Sequence, residues 1–423
     1  MSTTPVDLRN PAAFGGEGRR KELARVLRRK RRLRAGVLQL LAVVIAIGLA
    51  FLVPQIPIGF EISTTRVTEM LIAVGAATVA FVGIVYSLLF LVVQFGSTTF
   101  TPRLNLFRDD PIVWRSFAFY TAVVVYAFTA SLVIGQDETT SGAVPIVAFV
   151  AVLTSIALYR RLTMGAFTSI QLAPALAQIA RRGREVIDGL YILDAPASDR
   201  EDSPDRAGAA STTGRPVREI RWSRAGAVLQ IIDVPRVLRA AEQTKAVIDF
   251  KVGSGEAIAE GAVVAVVTGQ AEPELEHAVV DALTVGDERT FEQDPAFALR
   301  LLADIALRAL SPAVNDPTTA VQALDAMDGV LRTLATRKLA VGRVADHHGT
   351  LRITLVLPTW EDYLAVALDE IIALREVSPN VSRRILRLLD ELEAIAPTTR
   401  HPALTARRRQ VHDPNSMKGP TRA

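Results

Sequence analysis

Four uninterrupted apolar segments near the start of this chain constrain its fold more than any other feature. They run from Ala35 to Val53, Met70 to Gln94, Phe117 to Ile134 and Ala143 to Tyr159. A helix needs about 20 apolar residues to cross about 30 Å of hydrocarbon, and each segment falls within the accepted range. The second would reach about 37 Å at ~1.5 Å per residue, so it is expected to tilt or protrude. None of the four contains Asp, Glu, Lys, Arg or His. Coupled carriers and pumps keep an ionisable group at mid-membrane, so the pattern argues against them and leaves uncharged pores and anchors.

The segments between these spans set an orientation. Basic residues crowd Arg19–Arg34 before the first span, Arg103, Arg108 and Arg115 follow the second, and Arg160, Arg161, Arg181, Arg182 and Arg184 follow the fourth. The other two loops carry Glu61, Arg66 and Glu69, or Asp137 and Glu138. Positive loops stay inside, so both termini are expected in the cytoplasm. A cleaved leader is the competing reading of the first segment, but its apolar stretch is long and no A-x-A pattern precedes Pro54. The net charge of +4 is small, and the cations gather at membrane boundaries. That is a topology signal, and no nucleic-acid partner is expected.

Cysteine is absent, which excludes disulfides, thiolate metal sites and cysteine nucleophiles. The five histidines have no HExxH-like spacing. No metal, cofactor or catalytic residue is therefore expected. Triad, P-loop, GxGxxG and paired-carboxylate signatures are missing as well, so the chain reads as a non-enzyme.

Within the second span Ala73, Ala76, Ala80, Gly83 and Ser87 recur at three- and four-residue steps. Small side chains on one helix face permit close helix approach, which drives association where lipid offers no hydrophobic gain. Two readings stay open: packing inside the four-helix bundle, or an oligomer interface or pore-lining face. The segment that follows, FGSTTFTPRLNLFRDDP, joins aromatic and basic residues. It reads either as an interfacial stretch with Phe95, Phe100 and Phe107 at headgroup level or as a gating or headgroup contact through Arg103 and Arg108. Gln94, Pro102 and Arg103 are candidate motif residues here.

From residue 160 the pattern becomes that of an α+β region with a small β-domain. Residues 160–190 read as an amphipathic helix broken at Pro174. Residues 196–216, rich in Pro, Ser, Gly and Asp, read as a flexible loop. GAVLQII, AVIDFKV and AVVAVVTG read as strands. The stretch FKVGSGEAIAEGAVVAVV resembles the glycine-punctuated turns of barrel-sandwich hybrid domains such as biotinyl and lipoyl carriers. Gly253, Gly255 and Gly261 would supply turn positions. The modifiable lysine flanked by methionine is missing, so only the small β-fold is implied.

After Asp287 two helices joined by SPAVNDP are expected, the second starting at Asp316–Pro317 as N-cap and first-turn proline. Polar residues clustered around them, Glu288, Arg289, Gln293, Asp294, Asp304, Arg308, Ser311, Asn315, Asp316 and Pro317, admit two roles. Either they cap and pair, with Asp304 and Arg308 one turn apart, or they form a ligand or ion site. A strand at 351–357 and helices near 361–376 and 380–395 follow. His347–His348 beside Asp346 read as a turn. Residues 396–423 read as a disordered basic tail able to touch anionic lipid.

The second span with VVQFGSTTFTPRLNLFRDDP, and then ERTFEQDPAFALRLLADIALRALSPAVNDPTTAVQALD, resembles the bacterial predicted membrane proteins grouped as domain of unknown function 2254. The likeness covers roughly residues 30 to 395 and implies a four-span membrane half, a C-terminal region and an inner-membrane location. It implies no activity. The expected organisation is thus a basic N-terminus (1–34), a four-helix transmembrane domain (35–159), a cytoplasmic α+β domain (160–395) and the tail. The expected function is that of a homo-oligomeric, channel-like membrane protein, or else a membrane-anchored sensor or scaffold. Its expected partners are the lipid bilayer and further copies of itself.

Overall fold

The computed structural model describes residues 36–57, 61–99, 111–135, 138–193, 217–269, 273–374 and 378–412. They fall into two compact units divided between Pro174 and Ala175. The basic N-terminus, the 196–216 segment, Pro102, Arg103 and the last eleven residues lie outside the described residues.

The first unit holds helices α1 (Gly36–Gln55), α2 (Thr64–Thr99), α3 (Pro111–Ile134) and α4 (Ala143–Ile170). All four are long and apolar enough to cross a membrane. The two cation-poor loops are joined by strands β1 (Glu61–Ser63) and β2 (Thr139–Ser141), antiparallel with Ile62 opposite Thr140. The helices outrun the apolar segments, so Arg66, Glu69, Arg115, Arg160 and Arg161 lie inside them near their ends. Hydrogen bonding continues past the hydrocarbon edge, and long cationic side chains reach back to water. The unit accordingly extends to Pro174 rather than residue 159.

α2 packs through Val67, Leu71, Gly75, Thr78 and Val85. Gly75 is needed for close approach, since a Cβ there would sit 3.2 Å from the Phe128 ring. One apolar core joins Ala46, Ala50, Leu71, Tyr126 and Ala130, and another joins Val85, Tyr120, Leu162 and Ala166. Between helices, Gln39 Nε2 donates to Thr121 Oγ1 at 3.3 Å.

The second unit begins within α5 (Leu172–Leu190). The helix break falls at Gln171, not Pro174; proline is tolerated in a first turn whose N–H groups have no helical partner. Strand β3 (Ile192–Leu193) follows, and then a β-module. Its strands are β4 (Val217–Arg221), β5 (Ala227–Ile232), β6 (Val247–Phe250), β7 (Ala257–Ile258), β8 (Val263–Thr268) and β9 (Leu283–Gly286). Two helices, α6 (Val234–Thr244) and α7 (Pro273–Asp281), lie between them in sequence. Gly255 and Gly261 do adopt positive φ, +94° and +80°, whereas Gly253 does not.

The chain then builds a helical body from α8 (Pro295–Ala309) and α9 (Pro317–Ala335). Short strands β10 (Arg337–Lys338), β11 (Arg343–Ala345) and β12 (Leu351–Thr354) come next. The expected 351–357 strand is therefore shorter. Pairing β12 beside β6 gives a five-stranded sheet ordered β11-β12-β6-β8-β4, and β7-β5-β9 form a second sheet. The body is completed by α10 (Trp360–Leu364), a π-turn (Ala365–Asp369), α11 (Glu370–Ala373), α12 (Pro379–Glu393) and α13 (His401–His412). α8 is apolar on nearly every side and buried, as an all-round hydrophobic helix must be.

The expected disorder from residue 396 is corrected by α13. Arg400, 7 % exposed, donates to the carbonyls of Leu334 and Ala335 at 3.0 and 2.8 Å and of Arg337 at 2.7 Å, closing the end of α9. Arg407 binds Asp369 at 3.0 Å. The buried cations Arg400 and Arg407 hold this segment in place, together with buried Ala403 and Leu404.

Candidate functional site

Among the polar clusters expected from the sequence, the segment before α8 is the most enclosed. Asp294 is 2 % exposed and caps α8, its Oδ1 accepting from the Phe297 amide at 3.1 Å. Arg289 grips the same carboxylate with two donors, Nε to Oδ2 at 2.7 Å and Nη2 to Oδ1 at 3.0 Å. The guanidinium also lies over the Phe297 ring, 5.6 Å from its centre. A bidentate fork of this kind fixes orientation as well as charge. Burial nevertheless holds the Asp294 carboxyl above its ordinary range, because the Arg289 hydrogen bonds only partly offset desolvation.

Its neighbour Gln293 behaves as a strand substitute. Its amide accepts from the Ile232 N–H at 2.9 Å and donates to the Ile232 carbonyl at 3.0 Å, satisfying the end of β5. Gln230 Nε2 adds a bond to the Glu288 carbonyl at 2.8 Å. Gly255 comes so close to Asp294 that any Cβ there would collide with the carboxylate. Positive φ and that approach both demand glycine. The hydroxyls of Tyr191 and Tyr363, which both feel the Asp294 charge, share a buried 2.7 Å hydrogen bond. Burial pushes Tyr191 up to about 12 and also holds Tyr363 well above the ordinary tyrosine range.

Other candidates serve the helix junctions. Asp316 caps α9 through the Thr319 amide at 3.1 Å and hydroxyl at 2.6 Å, and Pro317 occupies its first position. Asn315 is left-handed at φ +48°, and Ser311 Oγ donates to the Arg308 carbonyl at 2.7 Å. The expected Asp304–Arg308 pairing is replaced: Asp304 takes Arg300, one turn earlier, at 2.6 Å, and Arg300 reaches on to Glu370. Arg308 is exposed. Asp346 holds the β11–β12 turn by accepting from His348 and Thr350 amides and Arg352 Nε at 2.8–3.0 Å. Among the described residues no group of three metal-ligating side chains converges.

On α2, Ala73, Ala76, Ala80, Gly83 and Ser87 are all exposed, and nothing lies within 4 Å of a Cβ placed on Gly83. Within one chain, no other described helix covers this stripe. At 100° per residue it falls on the side opposite Leu71, Gly75 and Thr78, which the bundle uses. Gln94 is exposed farther along the same helix.

The sequence singled out Arg289, Gln293 and Asp294 but not the way they meet Gly255 and Ile232, because those contacts span 39 to 61 positions. Tyr191 and Tyr363 were missed; no local pattern connects residues 172 apart.

A family model described as "Predicted membrane protein (DUF2254)" matches residues 33–391. Uncharacterized proteins of Mycobacterium bovis and Mycobacterium tuberculosis are 28 % identical over 334 residues, which is 76 % of this chain. The chain spans 62 % of the length of these relatives. No solved structure matches.

Proposed function

The chain belongs to the DUF2254 family of predicted membrane proteins, and from that premise we propose that it is a non-enzymatic, self-associating protein of the bacterial inner membrane. α2 forms the contact between copies, and a channel-like path along these helices is the most concrete version of the proposal. Both termini lie in the cytoplasm, following the positive loops. The observation that carries the reading is the small-residue stripe on α2, left uncovered within one chain and turned away from the bundle. Supporting the non-enzymatic part, Asp304, Ser311 and Asp316 are engaged in pairing and capping.

The absence of cysteine makes a direct test simple. Ala76→Cys, Ala80→Cys and Gly83→Cys in native membranes should form disulfide-linked dimers under mild oxidation, while Val85→Cys, on the packed face, should not. Equal cross-linking at exposed Leu132→Cys, or none at the stripe, would defeat the proposal. Ion or solute flux into vesicles holding the purified protein tests the channel version separately.

A second reading, an anchored sensor or scaffold, draws on the compactness of the C-terminal unit. Residues 175–423 expressed alone should fold and stay soluble under that reading, and aggregate if the unit needs the spans.

A further inference from the structure

The β-module carries its own hydrophobic core. Ile220, Trp222, Leu229, Val237, Ile248, Phe250, Val264, Val267 and their neighbours come from β4 to β9, α6 and α7, with Ile353 of β12. Among the described residues this cluster takes nothing from α8 to α13. On the side of β5, polar contacts join the module to the segment that leads into α8. These are the Gln293 side chain on both backbone groups of Ile232, Gln230 on the Glu288 carbonyl, and Ser254 Oγ near Gln293 Oε1 at 3.4 Å. The Gly255–Asp294 approach completes the set.

A join of this composition behaves differently from a shared core. Parting it exposes hydrogen-bonding groups that water satisfies, and it opens neither apolar core. Closure also holds Asp294 in a desolvated place that burial disfavours, so rehydration of the carboxylate partly offsets the bonds lost on opening. The fit is strict when shut, because only glycine at 255 admits the carboxylate.

We infer that residues 288–294 form a polar latch, with Gln293 and Asp294 as its catches, from which the β5 side of the β-module opens as a local unit while both cores stay folded. This is a conformational device of the C-terminal unit and is independent of how α2 associates. It gives the two halves of that unit two relative states with a small energy gap, the kind of element a ligand or partner can bias.

Native-state hydrogen exchange on the full-length protein in lipid discs tests it. In the unmodified chain the Ile232 amide, whose acceptor Gln293 lies across the join, should exchange well before the β6–β8 ladder and α9. Gln293→Leu should speed Ile232 about tenfold, as expected for the loss of a hydrogen bond to a partly buried group, and leave β8 and α9 unchanged. Gln230→Ala, at the rim, should give a weaker version of the same pattern. The latch is overturned if Ile232, β8 and α9 of the unmodified protein exchange in one common event, or if Gln293→Leu accelerates all of them equally.

Discussion

The two units solve the same packing problem with opposite surfaces. In the first, large apolar side chains face outward: Leu132 is 78 % exposed, Phe90 69 % and Phe149 63 %. After Ala175 only Val217, Val314, Val356, Leu374 and Ile395 are exposed large apolar residues among those described. Ion pairs follow the reverse rule, and among the described residues all of them lie from Arg181 onward. Several hydroxyls in the first unit fold back on their own helix, as Thr78 does on Val74, Thr121 on Phe117 and Ser155 on Ala151, whereas Thr64, Thr68, Ser116 and Thr163 have no partner among the described residues. Lipid cannot satisfy a polar group, which favours bonds made within the helix itself. The second unit instead spends its polar side chains on caps and long-range joins. What differs is the solvent each half is built for, and the way each half tolerates change should differ accordingly.

The largest effect is expected where the second unit encloses charge. Arg289→Met leaves Asp294 buried without its partner, which should destabilise the C-terminal unit by about 3–5 kcal/mol. Thermal unfolding checks this, and the loss should shrink in acid. A carboxyl whose folded pKa lies above its unfolded value keeps its contribution below the unfolded pKa and loses it as pH rises, so the unpaired Asp294 is best tolerated protonated.

Next comes a paired substitution of the same kind in the two halves. Val79, 54 % exposed near the middle of α2, and Val217, 65 % exposed on an edge strand, look alike by exposure. Val79→Arg should cost about 2.5–3.5 kcal/mol if its surroundings are hydrocarbon. Val217→Arg should stay within about 0.5 kcal/mol. Membrane insertion yield and unfolding midpoints measure the pair, and equal effects would break the comparison.

This contrast also explains what was readable beforehand. A span must be apolar along its whole length, so the four segments stood out, but the helix ends did not, because hydrogen bonding outlasts the hydrocarbon. β5, β6 and β8 were legible through their β-branched runs. β4, VREIR, was not, since four of its five residues are exposed and it alternates little. α13 was hard to see for a different reason: much of what holds it is Arg400 and Arg407 meeting carbonyls and a carboxylate far away in the chain, with only Ala403 and Leu404 buried beside them. For the latch, the residues were conspicuous and their partners were not.

A smaller effect of opposite sign belongs to the first unit. Tyr126 is 4 % exposed, and its hydroxyl has no hydrogen-bond partner among the described residues. Unlike serine or threonine, tyrosine cannot bend back to its own helix carbonyl. Tyr126→Phe removes a buried, unpaired polar atom and should stabilise the bundle by about 1 kcal/mol in detergent. A loss of stability instead would mean that the hydroxyl is satisfied by solvent or by a second copy, and the dry-bundle half of the comparison would fall.

The smallest effect is a pH term that only the second unit should show. The Thr319 hydroxyl, and then its amide, hold the Asp316 carboxyl below the usual carboxylate range. A lowered folded pKa contributes stability that is present above the unfolded value, about pH 4, and is lost as pH falls through the folded one. Asp316→Asn keeps an acceptor at the cap but removes the charge facing the α9 N-terminus. The variant should therefore be weaker by a few tenths of a kcal/mol at neutral pH, with the gap to the parent narrowing once the pH falls below the unfolded value. Unfolding curves at pH 7, 5 and 3 report the gap closing. If the gap stays constant with pH, Asp316 acts through geometry alone, and the charge-based half of the comparison narrows to the buried pairs at Asp294 and Asp346.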